Sequence, residues 1–325
     1  SRTTAKGQSR RSFRANTEVS GAVAGPVVGI AQCGIISMYG LDGMRPWTCY
    51  TTGCGIKEGD VNAFGQRTER HRMNAPDLSN RVALVTGAGV GIGRAIAESL
   101  ASAGATVGVH CHRSLTEAGK VIEAIRARGG QAILLQADLA DPRQPATLVE
   151  RLVQQTGRLD ILVNNAGSPV RRSRIEECPL DLWQEVIATN LTSAFLVTQA
   201  AIPHLRANGN GAIVNNLSLS VQTGGANGAG PYAIAKGGLQ VMTRTLAREL
   251  APAVRTNAIM PGVIETRHHD VFSTPDRLQQ YRTETPLGRN GCAEEVASAV
   301  LFLVSDAARF INGALIDING GRFLR

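Results

Sequence analysis

Apolar residues fall into short runs that alternate with stretches where they recur every third or fourth position. Val82–Thr86, Ala105–Cys111, Ala132–Ala137, Asp160–Asn164, Ala212–Asn216, Arg255–Ile259 and Ala314–Ile318 read as strands. After the first strand, Ile92, Ala95, Ile96 and Leu100 sit at helical spacing with Gly104 as a stop. Helical patterns also cover about residues 115–128, 142–155, 180–206, 231–250 and 294–304. Strict alternation of short apolar strands with helices predicts a parallel sheet covered on both faces. Right-handed crossovers make it doubly wound. The expected fold is therefore a single α/β, Rossmann-type domain with seven parallel strands over residues 73–325. The length of 325 residues alone suggests two domains, but the pattern needs only one. No transmembrane span is expected in this part.

Residues 1–72 differ. They carry 10 Lys/Arg against 5 Asp/Glu. Arg10, Arg11 and Arg14 precede a stretch without charge between Glu18 and Asp42, a layout that imitates a targeting peptide or an anchor. Gly21, Gly25, Pro26, Gly29, Gln32, Gly34 and Gly40 lower its apolarity and helix preference. Residues 42–72 show neither helical nor strand periodicity. The expectation is an extension upstream of a domain that starts near Met73, and a chain truncated there should fold and keep its activity.

The net charge of +8 would ordinarily raise nucleic acid or membrane as partners. Residues 73–325 carry only +3 of it, so neither is expected. Apolar content of 43% and charged content of 18% exclude a disordered chain or a coiled coil, and 4% aromatics argue against base-stacking platforms. The six cysteines (Cys33, Cys49, Cys54, Cys111, Cys178, Cys292) have no paired spacing, so free thiols in a reducing, cytoplasmic setting and no metal site are expected.

Thr86-Gly87-Ala88-Gly89-Val90-Gly91-Ile92-Gly93 joins the first strand to the first helix. In that position the glycines Gly87, Gly91 and Gly93 permit a tight turn whose N–H groups and helix start attract a pyrophosphate. The second strand ends in His110-Cys111-His112-Arg113-Ser114, with no acid before Glu117. An acid there would bond the ribose 2′-OH of NAD. Arg113 and Ser114 instead suit a 2′-phosphate, which favours NADP while leaving NAD open.

Tyr232 and Lys236 lie at i and i+4, on one face of a helix. A nearby ammonium favours the phenolate and should lower the tyrosine pKa, letting Tyr232 exchange a proton with an alcohol or carbonyl oxygen. Ser218 ends the fifth strand, where such sheets place ligands, and can bond the same oxygen.

With these motifs, residues 80–325 resemble the short-chain dehydrogenase/reductase family in its subgroup of about 250 residues. Thr86–Gly93, Asp138, Asn164-Asn165-Ala166-Gly167, Asn190, Ser218, Tyr232 with Lys236, Pro261-Gly262 and Gly320-Gly321 carry the resemblance in order. It implies hydride transfer between nicotinamide and a carbonyl or secondary alcohol, similar to 3-oxoacyl-acyl-carrier-protein reductases. By resemblance, Asp138 and the adjoining Leu139 meet the adenine, Asn164 stabilises the central strand and lines the cofactor, and Ala166 and Gly167 follow it there. Ile92 belongs to the phosphate turn. Asn190 holds a water that links Lys236 to solvent. Ser218 orients the carbonyl, Tyr232 is the acid/base and Lys236 also bonds the nicotinamide ribose. Pro261, Gly262, Val263 and Ile264 lead to Thr266 at the carboxamide.

Two departures stand out. The family serine usually lies thirteen residues before the tyrosine. Ser218 is fourteen before and Ser220 twelve, and the register of Ile213-Val214-Asn215 favours Ser218. Many NADP members carry a basic residue where this chain has Val90. The substrate segment, about Glu265–Pro286, holds His268, His269, Phe272 and Tyr281, and Arg171, Arg172 and Arg174 follow the fourth strand. The substrate is expected to be a small carbonyl or alcohol. A sugar, polyol or hydroxy-acid dehydrogenase is the alternative, and a non-catalytic dinucleotide-binding protein the alternative of another class. The resemblance also implies a homotetramer or homodimer joined through the two long helices.

Overall fold

The computed structural model of the chain describes residues 76–266 and 273–324. The expectations for residues 1–72, the start at Met73, Cys33, Cys49, Cys54, His268, His269 and Phe272 lie outside the described residues.

The order of elements is β1 (Val82–Val85), α1 (Gly91–Ser102), β2 (Thr106–Cys111), α2 (Leu115–Ala127), β3 (Gln131–Gln136), α3 (Gln144–Thr156), β4 (Ile161–Asn164), α4 (Leu180–Ile187), α5 (Ser193–Ala207), β5 (Gly211–Asn216), α6 (Gly230–Glu249), β6 (Val254–Pro261), α7 (Pro275–Glu284), α8 (Ala293–Val304) and β7 (Leu315–Ile318). Among the described residues the strands form one sheet in the order β3-β2-β1-β4-β5-β6-β7. Every pairing is parallel. The order reverses between β1 and β4, so the ligand crevice of a doubly wound sheet opens at their C-terminal ends.

Strand alternation divides the core. Ala83, Val85, Val107, Val109, Ile161 and Val163 face α1, α2 and α8, where they meet Ile96, Leu100, Val121, Ile125, Val296 and Val300. Val82, Leu84, Leu162 and Ile213 face α3, α5 and α6, against Leu148, Leu152, Val197, Leu205 and Leu246. Each fully buried aliphatic side chain contributes about 1.5–3 kcal/mol, so neither layer can be stripped without loss of the sheet. Gly108 is small for a reason: a Cβ there would lie 2.9 Å from Leu152 Cδ2.

Two elements depart from the sequence pattern. Residues 180–206 read as one helix, but Ala188–Thr192 is a π-helical turn between α4 and α5. By length and composition alone the stretch Leu180–Ala207 is long and apolar enough to cross a membrane. In this fold it is a core helix pair, with Leu182, Val186, Val197, Ala201 and Leu205 buried. The other departure is α7, inside the segment read as variable. Thr274 caps it by accepting from Arg277 N, and Pro275 sits in its first turn.

Candidate active site

The phosphate turn is built from both sides of the β1/β4 switch. Gly87 and Gly91 have φ of +64° and +54°, a left-handed backbone that favours glycine. Thr86 Oγ1 accepts from the backbone N–H groups of Asn165 and Ala166 at 2.9 and 3.0 Å. Asn165 Nδ2 donates back to the carbonyls of Thr86 and Gly87 at 2.9 and 3.1 Å. Asn165 Oδ1 in turn accepts from Asn216 Nδ2 at 2.9 Å. Thr266 packs on the turn, its Cβ 3.4 Å from where a Gly91 side chain would begin. Ser114 Oγ lies 2.8 Å from the corresponding point at Gly89. Arg113 is exposed and makes no hydrogen bond or ion pair among the described residues.

The rest of the cleft lies at the ends of β4 and β5 and on α6. Lys236 is 2% exposed and donates to the Asn216 carbonyl at 2.7 Å. Its Nζ is 5.8 Å from the centre of the Tyr232 ring. The Ser218 and Ser220 hydroxyls are 2.8 Å apart. Ser218 Oγ also accepts from Ser220 N at 3.1 Å, and a Ser218 hydrogen bond pulls against the upward shift of the Tyr232 phenol. Tyr232 is half-buried and packs against Leu182, Val186 and Ala235.

The electrostatics correct one expectation. Burial pushes Tyr232 up to about 12, and the Ser218 hydrogen bond offsets only part of that. Desolvation of the phenolate dominates, so the expected lowering of the tyrosine pKa is not seen. Lys236 is itself pushed down to about 8 by burial. The tyrosine therefore holds its proton, and the lysine stands close to losing one.

Asn190 is fully buried in the π-turn. Its Nδ2 donates to the carbonyls of Ser168 and Val186 at 2.7 and 2.8 Å, and its Oδ1 accepts from Ser168 N at 2.9 Å. A Cβ at Gly167 would lie 2.6 Å from that Oδ1 and 3.1 Å from Lys236 Nζ, so the amide and the ammonium face one another across Gly167.

Other expected residues stand further back. The Asn164 side chain turns into the core, with Nδ2 bonded to Thr198 Oγ1 and Asn215 Oδ1 at 2.9 Å each. It ties β4 to β5 and α5 and does not line the cleft, which corrects that part of its expected role. Leu139 and Ile264 also bury their side chains in the two core layers, so only their backbones can face a ligand. Ile92 packs on the core as well. Asp138 is half-exposed, accepts from Ala140 N at 3.0 Å and stands 3.7 Å from His112. Gly262 lets β6 approach the turn after β7, since a Cβ there would lie 2.9 Å from Asn319; Pro261 and Val263 flank it. Sequence reasoning assigned no role to Asn165, Asn216 or His110. Asn165 and His110 bond the turn's backbone and Asn216 holds the Asn165 amide, contacts that residue spacing does not reveal.

These residues fit a dinucleotide. Gly87 and Gly91 hold the left-handed backbone that a tight phosphate turn needs, and Asn216 Oδ1 is buried without a hydrogen-bond partner among the described residues. It is an acceptor suited to a ligand hydroxyl or amide.

A family model described as enoyl-(acyl carrier protein) reductase matches residues 87–322. The chain is 42% identical over 248 residues to a 3-oxoacyl-acyl-carrier-protein reductase of Aquifex aeolicus, covering 76% of this chain and 98% of that one. A solved short-chain dehydrogenase of Burkholderia cenocepacia in complex with NADP is 35% identical with a TM-score of 0.70, over 77% of this chain and 99% of its own. A Brucella melitensis structure described as a short-chain dehydrogenase/reductase, glucose/ribitol dehydrogenase, is 32% identical with a TM-score of 0.70, over 78% and 100%. The matched stretch contains the glycine turn, the strand-end serine and the tyrosine–lysine pair, and the chain belongs to the short-chain dehydrogenase/reductase family of NAD(P)-dependent oxidoreductases.

Proposed function

We propose that the chain reduces a carbonyl to a secondary alcohol with NADP in preference to NAD. The carrying observation is Tyr232, whose proton is held by burial beside the Ser218 hydroxyl and one helical turn before Lys236. When bound, nicotinamide supplies the hydride that the carbonyl carbon accepts. Ser218 donates to the carbonyl oxygen and orients it. Tyr232 gives its proton to the same oxygen as charge develops there. Lys236, anchored on the Asn216 carbonyl, stabilises the phenolate that results and bonds the ribose. Asn190 supports the path by which that proton is replaced. Gly87, Gly91 and Gly93 cradle the pyrophosphate, Asp138 meets the adenine and Thr266 the carboxamide. Arg113, exposed and without an acidic partner among the described residues, and Ser114, set against Gly89, support a 2′-phosphate over a plain ribose.

Likeness to the Aquifex reductase supports a 3-oxoacyl thioester as the substrate class. Likeness to the glucose/ribitol dehydrogenase favours a second reading, a sugar or polyol dehydrogenase. A panel of 3-oxoacyl thioesters, keto acids, sugars and polyols, followed at the nicotinamide absorbance with NADPH and NADH, separates them. Saturable dinucleotide binding without turnover across the panel would instead support a binding protein. Phe195, Ile234 and Val241, exposed on α5 and α6, support self-association into a homodimer or homotetramer through these helices. A cytoplasmic location suits a dinucleotide-dependent enzyme with free thiols at Cys111, Cys178 and Cys292.

A further inference from the structure

His110 near the end of β2 is 2% exposed and uses both ring nitrogens. Nδ1 accepts from the Gly87 N–H at 3.0 Å. The acceptor role of Nδ1 places the ring proton on Nε2, which stands 3.1 Å from the Ala137 carbonyl and donates to it. The His110 carbonyl also accepts from Ala88 N at 2.7 Å. One residue thus fastens Gly87 and Ala88 of the phosphate turn and the residue that precedes Asp138. The groups within electrostatic reach are His112 on the same chain end and Asp138 on the loop after β3. Burial pushes the imidazole pKa down to about 4, against the pull of the Ala137 carbonyl and Asp138. The ring is therefore neutral in the ordinary pH range, as the Gly87 bond requires. A protonated Nδ1 would set one donor against another.

We propose that His110 is a positioning residue for the dinucleotide, holding the phosphate turn and the adenine loop at the separation the cofactor spans. It sets cofactor affinity and leaves the chemical step alone. The Gly87 bond is the decisive one, because it fixes the left-handed residue of the phosphate turn itself, whereas the Ala137 bond holds the residue before Asp138. The proposal rests on the reading of the cleft as a dinucleotide site.

The test compares His110→Asn with His110→Gln. The asparagine oxygen can replace Nδ1 as the acceptor for Gly87. The glutamine amide reaches the Nε2 position and serves only Ala137. Equilibrium binding of NADPH, read by nicotinamide fluorescence, should give a Kd near the wild-type value for the Asn variant. The Gln variant should be weaker by roughly tenfold, the effect of one lost hydrogen bond of about 1.4 kcal/mol. At saturating NADPH, kcat for a turned-over ketone should stay within about twofold in both. Equal Kd values in the two variants, or the reverse order, overturn the proposal, as does a lowered kcat with Kd unchanged. A wild-type protein that binds neither NADPH nor NADH overturns the reading of the cleft itself, and that outcome is distinct because it appears before any variant is made.

Discussion

Gly93→Ala should disable the phosphate turn while leaving the domain folded. A Cβ at Gly93 would lie 2.2 Å from the Gly87 carbonyl oxygen, 2.9 Å from the Gly87 carbonyl carbon and 2.4 Å from Asn165 Nδ2. These positions fall about 1 Å or more inside van der Waals contact. Two of the three atoms are backbone of the turn, and the third belongs to the side chain that pins it. Relief requires the turn to open, at an overpacking cost of about 1–3 kcal/mol. Opening also breaks the bonds from Asn165 to the Thr86 and Gly87 carbonyls, each worth about 1 kcal/mol. The total of about 3–5 kcal/mol corresponds to a Kd for NADPH weakened by roughly a hundredfold or more. Titration by nicotinamide fluorescence measures it, with a thermal melt of the same sample to show that the domain is intact. Gly119→Ala is the control: that glycine lies in α2 with nothing within 4 Å of its missing Cβ. It should bind normally and gain about 0.5–1 kcal/mol of stability. A Gly93→Ala protein whose Kd stays within about threefold of wild type would show that the turn does not hold the cofactor.

Three further outcomes follow from the same geometry. Ser218→Ala should reduce kcat by roughly a hundredfold or more and Ser220→Ala by far less; an active Ser218 variant beside a dead Ser220 variant would reverse the assignment. Lys236 is down to about 8 from an ordinary 10.5. Between those pH values the unfolded chain binds a proton that the folded chain has shed, so stability rises with pH through that window, and below it the buried ammonium costs about 3 kcal/mol. Lys236→Met should therefore lose turnover yet gain Tm at pH 7, with the gain shrinking towards pH 10. A Tm lowered equally at both pH values contradicts this. Arg113→Ala should raise the KM for NADPH by about tenfold or more and leave that for NADH unchanged, and an unaltered preference between the two would remove Arg113 from the site.

The strands and their order of appearance were legible because each is a short β-branched run between helical patterns, and the sheet follows once crossovers are right-handed. The glycine turn was legible because it sits between a strand and a helix. The break at Ala188–Thr192 was not, since a π-turn inserts one residue without disturbing the apolar pattern around it. Helix α7 was missed although Thr274-Pro275-Asp276 is a sound helix start, because the segment around it has little apolar periodicity and none of its residues is buried. Spacing placed Tyr232 beside Lys236 but said nothing of depth, and depth decides their pKa values. Asn165, Asn216 and His110 escaped for a related reason. Each bonds a residue distant in sequence, and only the sheet order brings the ends of β1, β2, β4 and β5 together.

That depth also bears on direction. Tyr232 and Lys236 are moved in opposite senses by the same desolvation, up to about 12 and down to about 8. Each shift disfavours charge, so the cleft is arranged around a neutral phenol. A protonated phenol is a donor, and the proposed step that needs a donor is carbonyl reduction. The reverse step, oxidation of an alcohol, needs the phenolate and becomes easier as pH rises. Reduction should therefore be the faster direction near neutral pH, with oxidation gaining at alkaline pH, because burial at Tyr232 outweighs the help of Ser218.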